Sequence, residues 1–147
     1  VRLKLVGVLS DRKMEKFGNK VEKLPFMDWK QLPSVMAGID INLMPLENSL
    51  FHWCKSENKW TEAALVKVPS VMSRNCEMEY VVENGKDGWM CTTKEEWVNA
   101  LEALVTDEKA RKAMGEAAHQ KVMEHYLTVN TGKDAMEELL CSESYTK

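Results

Sequence analysis

Two hydrophobic rhythms take turns along the chain, one alternating between neighbouring residues and one recurring every three to four. "VRLKLVGVL" puts Val1, Leu3 and Leu5 on one face with Val6, Val8 and Leu9 nearby, and Ser10-Asp11 bound it. "IDINLMPL" is a second apolar run, closed by Pro45, and "VKVPSVMS" a third, rich in β-branched valine and ending at Ser73. A short fourth, "GWMCT", follows the turn signals Asn84-Gly85 and Asp87-Gly88. Helical spacing fills the intervals. Asp28 is placed to cap a short helix with Pro33 near its first turn, Leu32, Val35 and Met36 facing inward, and Gly38 at its end. Thr93-Lys94-Glu95-Glu96 is a capping box, in which hydroxyl and carboxylate satisfy each other's free backbone N–H groups. The helix it opens carries Trp97, Leu101, Leu104 and Val105 on one stripe. A second begins at Asp107, with Ala110, Met114, Ala117, Ala118, Val122 and Tyr126 at helical spacing. Strands alternating with helices predict a parallel sheet covered on both faces. The expected fold is therefore α/β, a Rossmann-like, doubly wound sheet that binds ligands at the carboxyl ends of its strands.

The pattern divides the chain into an α/β domain over residues 1–126 and a tail over 127–147. In the tail Ala135, Met136, Leu139 and Leu140 form an amphipathic set after a break at Gly132, as in a helix that docks on something. No internal repeat or low-complexity segment is visible. A length of 147 residues leaves room for one domain, and 44% hydrophobic with 29% charged residues is ordinary for a soluble globular one. No apolar run approaches the roughly 20 residues that cross a bilayer. Net charge is -3 with no obvious basic face, so nucleic acid is not an expected partner. Cys54, Cys76, Cys91 and Cys141 form no C-x-x-C pair, and His52, His119 and His125 have no zinc-like spacing. His52 and Cys54 could share a metal, but two ligands do not make a site. No metal is expected, and the free thiols suit a reducing cytoplasm. Val1 is not an initiator Met and enters the alternating pattern at once, which reads as an excised domain or fragment.

Candidate chemistry concentrates in "MPLENSLFHWCKSENKWTEAALVKVPSVMS". With Lys55 starting a helix, Lys59 falls at about 40° and Glu62 at about -20°, while Trp60, Ala63 and Ala64 fall on the other side. Two ammonium groups, a carboxylate and the free N–H groups of a helix start suit a diphosphate joined to a diol. The same spacing also describes Lys/Glu pairs on a solvated helix. Position favours the first reading, because the helix follows an apolar strand where a doubly wound sheet binds ligands. "SRNCEMEY" follows another strand; it could line the pocket, with Arg74 as its cation, or form an ordinary surface loop. Asn84-Gly85-Lys86-Asp87-Gly88 lacks G-x-G-x-x-G spacing and reads as a tight turn. Trp29, Trp60, Trp89 and Trp97 read as packing residues, and the ten methionines as fillers of core gaps. His119 and His125 have no catalytic partner in view.

The segment "GNKVEKLPFMDWKQLPSVMAGIDINLMPLENSLFHWCKSENKWTEAALVKVPSVMS", followed by "VVENGKDGWM" and a helix after "TTKEEW", resembles the C-terminal half of group 1 glycosyltransferases with the GT-B fold. The likeness spans roughly residues 1–126: strand, short helix ending in "GID", strand with "PL", Glu-bearing helix, "VPSV" strand, "NG..G" turn, two closing helices. It implies a retaining, hexosyltransferase-type enzyme of polysaccharide biosynthesis, with no metal. This half would hold a nucleotide-sugar donor, and an N-terminal half would hold a glycan or lipid-linked acceptor. It also implies that the chain lacks the first strand and glycine-containing loop of the donor half, and is inactive alone. Residues 127–147 would then dock on the N-terminal half, and the full-length protein would be cytoplasmic with an option of membrane association. Glu62 matches the second glutamate of the family's paired-Glu motif, which bonds the donor ribose. The first would fall at Cys54, so the chain looks more like the "KS..K..E" version: Lys55, Ser56, Lys59 and Glu62, with the lysines on phosphate or sugar. No general base is assigned. Phe26 and Met27 match the loop that meets the nucleobase, although Phe26 also suits a core aromatic. The alternative is a non-catalytic Rossmann-like domain that docks a partner through its tail helix.

Overall fold

The computed structural model describes residues 1–7 and 15–142, without the side chains of 15, 16, 134 and 139–142. Val8, Leu9, Ser10 and Asp11 of the first predicted run therefore lie outside the described residues. In chain order come β1 (Leu3–Val6), a 3-10 segment (Glu15–Lys20), β2 (Val21–Leu24), α1 (Leu32–Met36) and β3 (Asn42–Met44). Then follow α2 (Leu50–Trp53), α3 (Asn58–Leu65), β4 (Ser70–Ser73), α4 (Cys76–Val81) and β5 (Trp89–Cys91). Three helices complete the described residues: α5 (Lys94–Thr106), α6 (Glu108–His125) and α7 (Thr128–Ser142).

Among the described residues every strand pairing is parallel, as the alternation of elements predicts. β1 runs beside β2 with Leu3 opposite Val21. The larger sheet has the order β3-β4-β5, with Leu43 opposite Val71 and Val71 opposite Trp89. β2 is absent from the four runs seen by periodicity. Its sequence "VEKL" spaces Val21 and Leu24 three apart, and pairing with β1 makes it a strand.

β4 shows why the central strands read as near-continuous apolar runs. Val71 and Met72 are both buried, and successive strand residues point to opposite faces. On one face Met72 joins Met44, Met90, Trp60, Ala64, Met78, Ala118 and Val122, contributed by β3, β5, α3, α4 and α6. On the other, Val71 and Cys91 meet Ala100, Leu104 and Met114 of α5 and α6. Six methionines, Met36, Met44, Met72, Met78, Met90 and Met114, are buried.

Helix ends follow the capping signals where a side chain supplies the bond. The Thr93 hydroxyl accepts from the Glu96 N–H, and the Glu96 carboxylate accepts from the N–H groups of Thr92 and Thr93. These donors hold the Glu96 carboxyl below its ordinary range, the Thr92 bond contributing most. Asp107 caps α6 by accepting from Ala110 N–H at 3.0 Å. The buried stripe of α5 is Trp97, Ala100, Leu101 and Leu104, so Ala100 takes the inward place expected of Val105, which is exposed. α1 starts later than Asp28. That carboxylate instead closes a turn on Lys30 N–H at 2.9 Å, and Gln31 stands at the cap without a side-chain bond. Trp29, in that turn, is 75% exposed rather than packed. Gly132 does not break the tail, because α7 runs through it. Gly115 lets α6 press on the turn after α3. A Cβ there would run into the Lys67 carbonyl, and Lys67 itself sits at φ +61°.

Candidate functional site

A cleft of about 310 Å³ opens at the carboxyl ends of β3, β4 and β5, at the lower end of the usual size for small-ligand sites. Its walls are the segment after β3 (Leu46, Glu47, Asn48), residues 73–76 with Glu79, and Cys91-Thr92, with His52 and Trp53 of α2. Ser73 ties two of these walls together. Its hydroxyl accepts from Leu46 N–H at 2.9 Å and donates to the Leu46 carbonyl at 3.1 Å. Trp53 Nε1 donates to Asn48 Oδ1 at 2.8 Å, and His52 Nδ1 shares a 2.7 Å hydrogen bond with Ser49 Oγ. The rim is therefore held by its own side chains.

Arg74 is the cation of this cleft. Its backbone N–H donates to the Cys91 carbonyl at 3.0 Å, anchoring the residue between β4 and β5. Its Nη1 pairs with Glu79 Oε1 at 3.0 Å, with side chains 38% and 52% exposed. An ion pair that open to water contributes roughly 0–1 kcal/mol. Asn75 follows at 7% exposure. Its Oδ1 accepts from Met78 N–H at 2.8 Å and caps α4, while its Nδ2 has no partner among the described residues. Five of the eight residues of "SRNCEMEY", from Cys76 to Tyr80, are thus helix rather than loop. Burial pushes the Cys91 thiol up, with the Glu96 charge adding and Arg74 opposing, so it stays a neutral thiol and a poor nucleophile near neutral pH. Among the described residues no three His, Cys, Asp or Glu side chains gather as metal ligands would.

The other predicted site residues lie elsewhere. The first turn of α3 closes on the Glu57 carbonyl, which accepts from Trp60 and Thr61 N–H, so the helix begins after Lys55. Lys55 sits between α2 and α3 with Nζ 4.2 Å from the centre of the Phe51 ring, a cation–π contact. Ser56, Lys59 and Glu62 are exposed; Lys59 and Glu62 lie on α3, opposite the buried Trp60, Ala63 and Ala64. The predicted trio thus shares no single helix, and none of Lys55, Ser56, Lys59 and Glu62 lines the cleft, whereas Arg74 does. Phe26 is 83% exposed, which removes its core reading, and Met27 beside it is half-buried.

The glycine-flanked turn is structural. Gly85 at φ +86° donates its N–H to the Gly88 carbonyl at 2.8 Å. Asp87 accepts from Glu83 N–H at 2.8 Å and from Lys121 Nζ at 2.8 Å, while its carbonyl accepts from Trp60 Nε1 at 2.9 Å. His119 bonds the Ala64 carbonyl at 3.0 Å, and His125 is exposed. Asn75 and Glu79 lie in "SRNCEMEY", the segment expected as a possible pocket lining, but only Arg74 was singled out there, and His52 was weighed only as a metal ligand. Only Asn75 left a signal, as an amide directly before a helix. Among the described residues no helix is long and apolar enough to cross a membrane.

The sequence profile of the family "Glycosyl transferases group 1" matches residues 1–107. No curated protein matches the chain by sequence. Among solved structures it is similar to Anabaena Alr3699/HepE in complex with UDP-glucose, at 19% identity and TM-score 0.72, covering 96% of this chain and 41% of that one. It is similar to the C-terminal domain of the group 1 family protein LpcC from Francisella tularensis, at 17% identity and TM-score 0.60, covering 79% and 60%. Sucrose-phosphate synthase from Thermosynechococcus elongatus matches at 14% identity and TM-score 0.70, over 97% of this chain and 39% of that one. The chain thus spans less than two thirds of these structures' lengths, and at such identities the likeness establishes the fold. With the family profile covering most of the described α/β domain, the chain belongs to the group 1 glycosyltransferases.

Proposed function

We propose that this chain is the domain that holds the nucleotide-sugar donor of a glycosyltransferase. The observation that carries the reading is the cleft at the carboxyl ends of three parallel strands, with the Arg74 guanidinium on its wall. A doubly wound sheet binds ligands at that edge, and the structurally similar HepE has been crystallised with UDP-glucose. Lys59 and Glu62 project from α3, the second of the two helices between β3 and β4, and Phe26 and Met27 follow the carboxyl end of β2. On this reading Arg74 meets the diphosphate or sugar within the cleft, and the donor extends past the rim to residues that do not line it: Glu62 for the ribose, Phe26 and Met27 for the base, and Lys59 and Lys55-Ser56 for the diphosphate or sugar. Cationic side chains then stabilise the departing nucleoside diphosphate electrostatically. That chemistry needs neither a metal nor a general base from this domain, and the family resemblance implies retention at the sugar carbon. A separate domain would supply the acceptor. The test is calorimetry with UDP, GDP and ADP: weak binding of at least one is expected, and Glu62→Ala should weaken it at least fivefold without unfolding the chain. No heat from any of the three at millimolar concentration would reject the reading, and equal affinity in the variant would remove Glu62 from the site.

The tail supports a second reading, a domain that docks through α7. Val129 and Met136 are exposed on that helix, while the side chains of Leu139 and Leu140 lie outside the described residues. The two readings separate cleanly, since a purely docking domain binds no nucleotide.

A further inference from the structure

Asn75 differs from the other polar groups of the cleft wall. Its Oδ1 is fixed by the Met78 N–H, which identifies the other end of the amide, Nδ2, as the donor. That nitrogen is buried and meets no acceptor among the described residues, a rare condition in folded proteins. It lines a cleft, and its neighbour in sequence, Arg74, carries a five-donor guanidinium held by one half-exposed carboxylate. Two adjacent residues of one cleft wall thus carry hydrogen-bond donors, one unpartnered among the described residues and one paired with an exposed carboxylate.

We propose that Asn75 Nδ2 and the Arg74 guanidinium together bind one oxyanion of the substrate, a phosphate or a carboxylate, and that Glu79 is its internal stand-in. In the unliganded cleft the Glu79 carboxylate occupies the guanidinium at 3.0 Å. An incoming oxyanion takes over that fork, where a planar bidentate geometry is available, and gains the amide donor as well. The exchange is easy because the Arg74–Glu79 pair is exposed and weak. The inference rests on the donor-domain reading and adds a binding residue to it. The oxyanion comes either from the donor diphosphate or from an acidic group on the acceptor.

The experiment is titration of the 147-residue chain with pyrophosphate, UDP and glucuronate, followed by calorimetry, with Asn75→Ser, Asn75→Asp and Glu79→Gln. Serine and aspartate both keep an oxygen for the Met78 N–H, so the cap of α4 survives while the Nδ2 donor is lost. Thermal melts verify folding. At least one anion is expected to bind the parent, about tenfold more weakly in folded Asn75→Ser and more weakly still in Asn75→Asp. Glu79→Gln, which releases Arg74, should tighten the same anion. A response of pyrophosphate and UDP assigns the oxyanion to the donor, and a response of glucuronate alone assigns it to the acceptor. Parent-like affinity of folded Asn75→Ser for every anion overturns the proposal, as does failure of all three to bind. UDP binding that depends on Glu62 but not on Asn75 would leave the donor reading standing and remove this one.

Discussion

Two acid–base pairs, Asp87–Lys121 and Arg74–Glu79, have similar chemistry and opposite settings. Asp87 is 4% exposed and Lys121 29%, and the carboxylate also accepts from Glu83 N–H. The backbone carbonyl of Asp87 receives the Trp60 indole, so one residue joins the glycine turn to α3 and α6. Arg74 and Glu79 sit at the cleft with 38% and 52% exposure, next to an amide that lacks a partner. Withdrawal from water turns the first pair into a fastener. Access to water leaves the second free to change partners. A charge pair reveals its role through its surroundings rather than its residue types.

Breaking the fastener should have the largest effect. Asp87→Ala strands Lys121 and the Glu83 N–H, and should cost about 3 kcal/mol. That is the low end for a broken buried pair, since Lys121 keeps some access to water. Urea unfolding measures it; a loss below about 1 kcal/mol would show that the turn does not depend on the pair. The capping box of α5 should have an intermediate, pH-dependent effect. The folded Glu96 carboxyl lies below its ordinary value of 4.5, so its contribution is present above that pH and disappears as pH falls through the lower, folded value. Because Glu96 also receives the N–H of Thr92, a cleft residue, acid should loosen that wall first. Glu96→Gln should flatten the acid limb of the melting-temperature profile, and an unchanged slope would dismiss the coupling. Arg74→Met should leave stability within about 0.5 kcal/mol, as expected for an exposed pair, while lowering anion affinity. A large loss of stability would make it a second fastener and erase the contrast.

What was legible in the sequence divides along the same line. β3, β4 and β5 announced themselves through apolar runs, and Thr93 and Asp107 through local capping bonds, because those signals are written within a few residues. β2 was not among the periodic runs, since its strand character comes from lying beside β1. The start of α3 was misplaced by treating Lys55 as helical, when the chain turns between Trp53 and Asn58. Arg74 was legible as the cation after a strand. Its exchangeable partner Glu79 and the open amide of Asn75 were not, because which groups bond and which remain free is settled by tertiary structure.

The methionine-rich interior has a mechanical consequence. Met44, Met72, Met78 and Met90 meet around Trp60, and each carries an unbranched thioether with several rotatable bonds. Such an interior conforms to its neighbours rather than dictating their shape. Small volume changes nearby can be absorbed by torsional adjustment of the thioethers, and the sheet that carries the cleft need not shift to accommodate them.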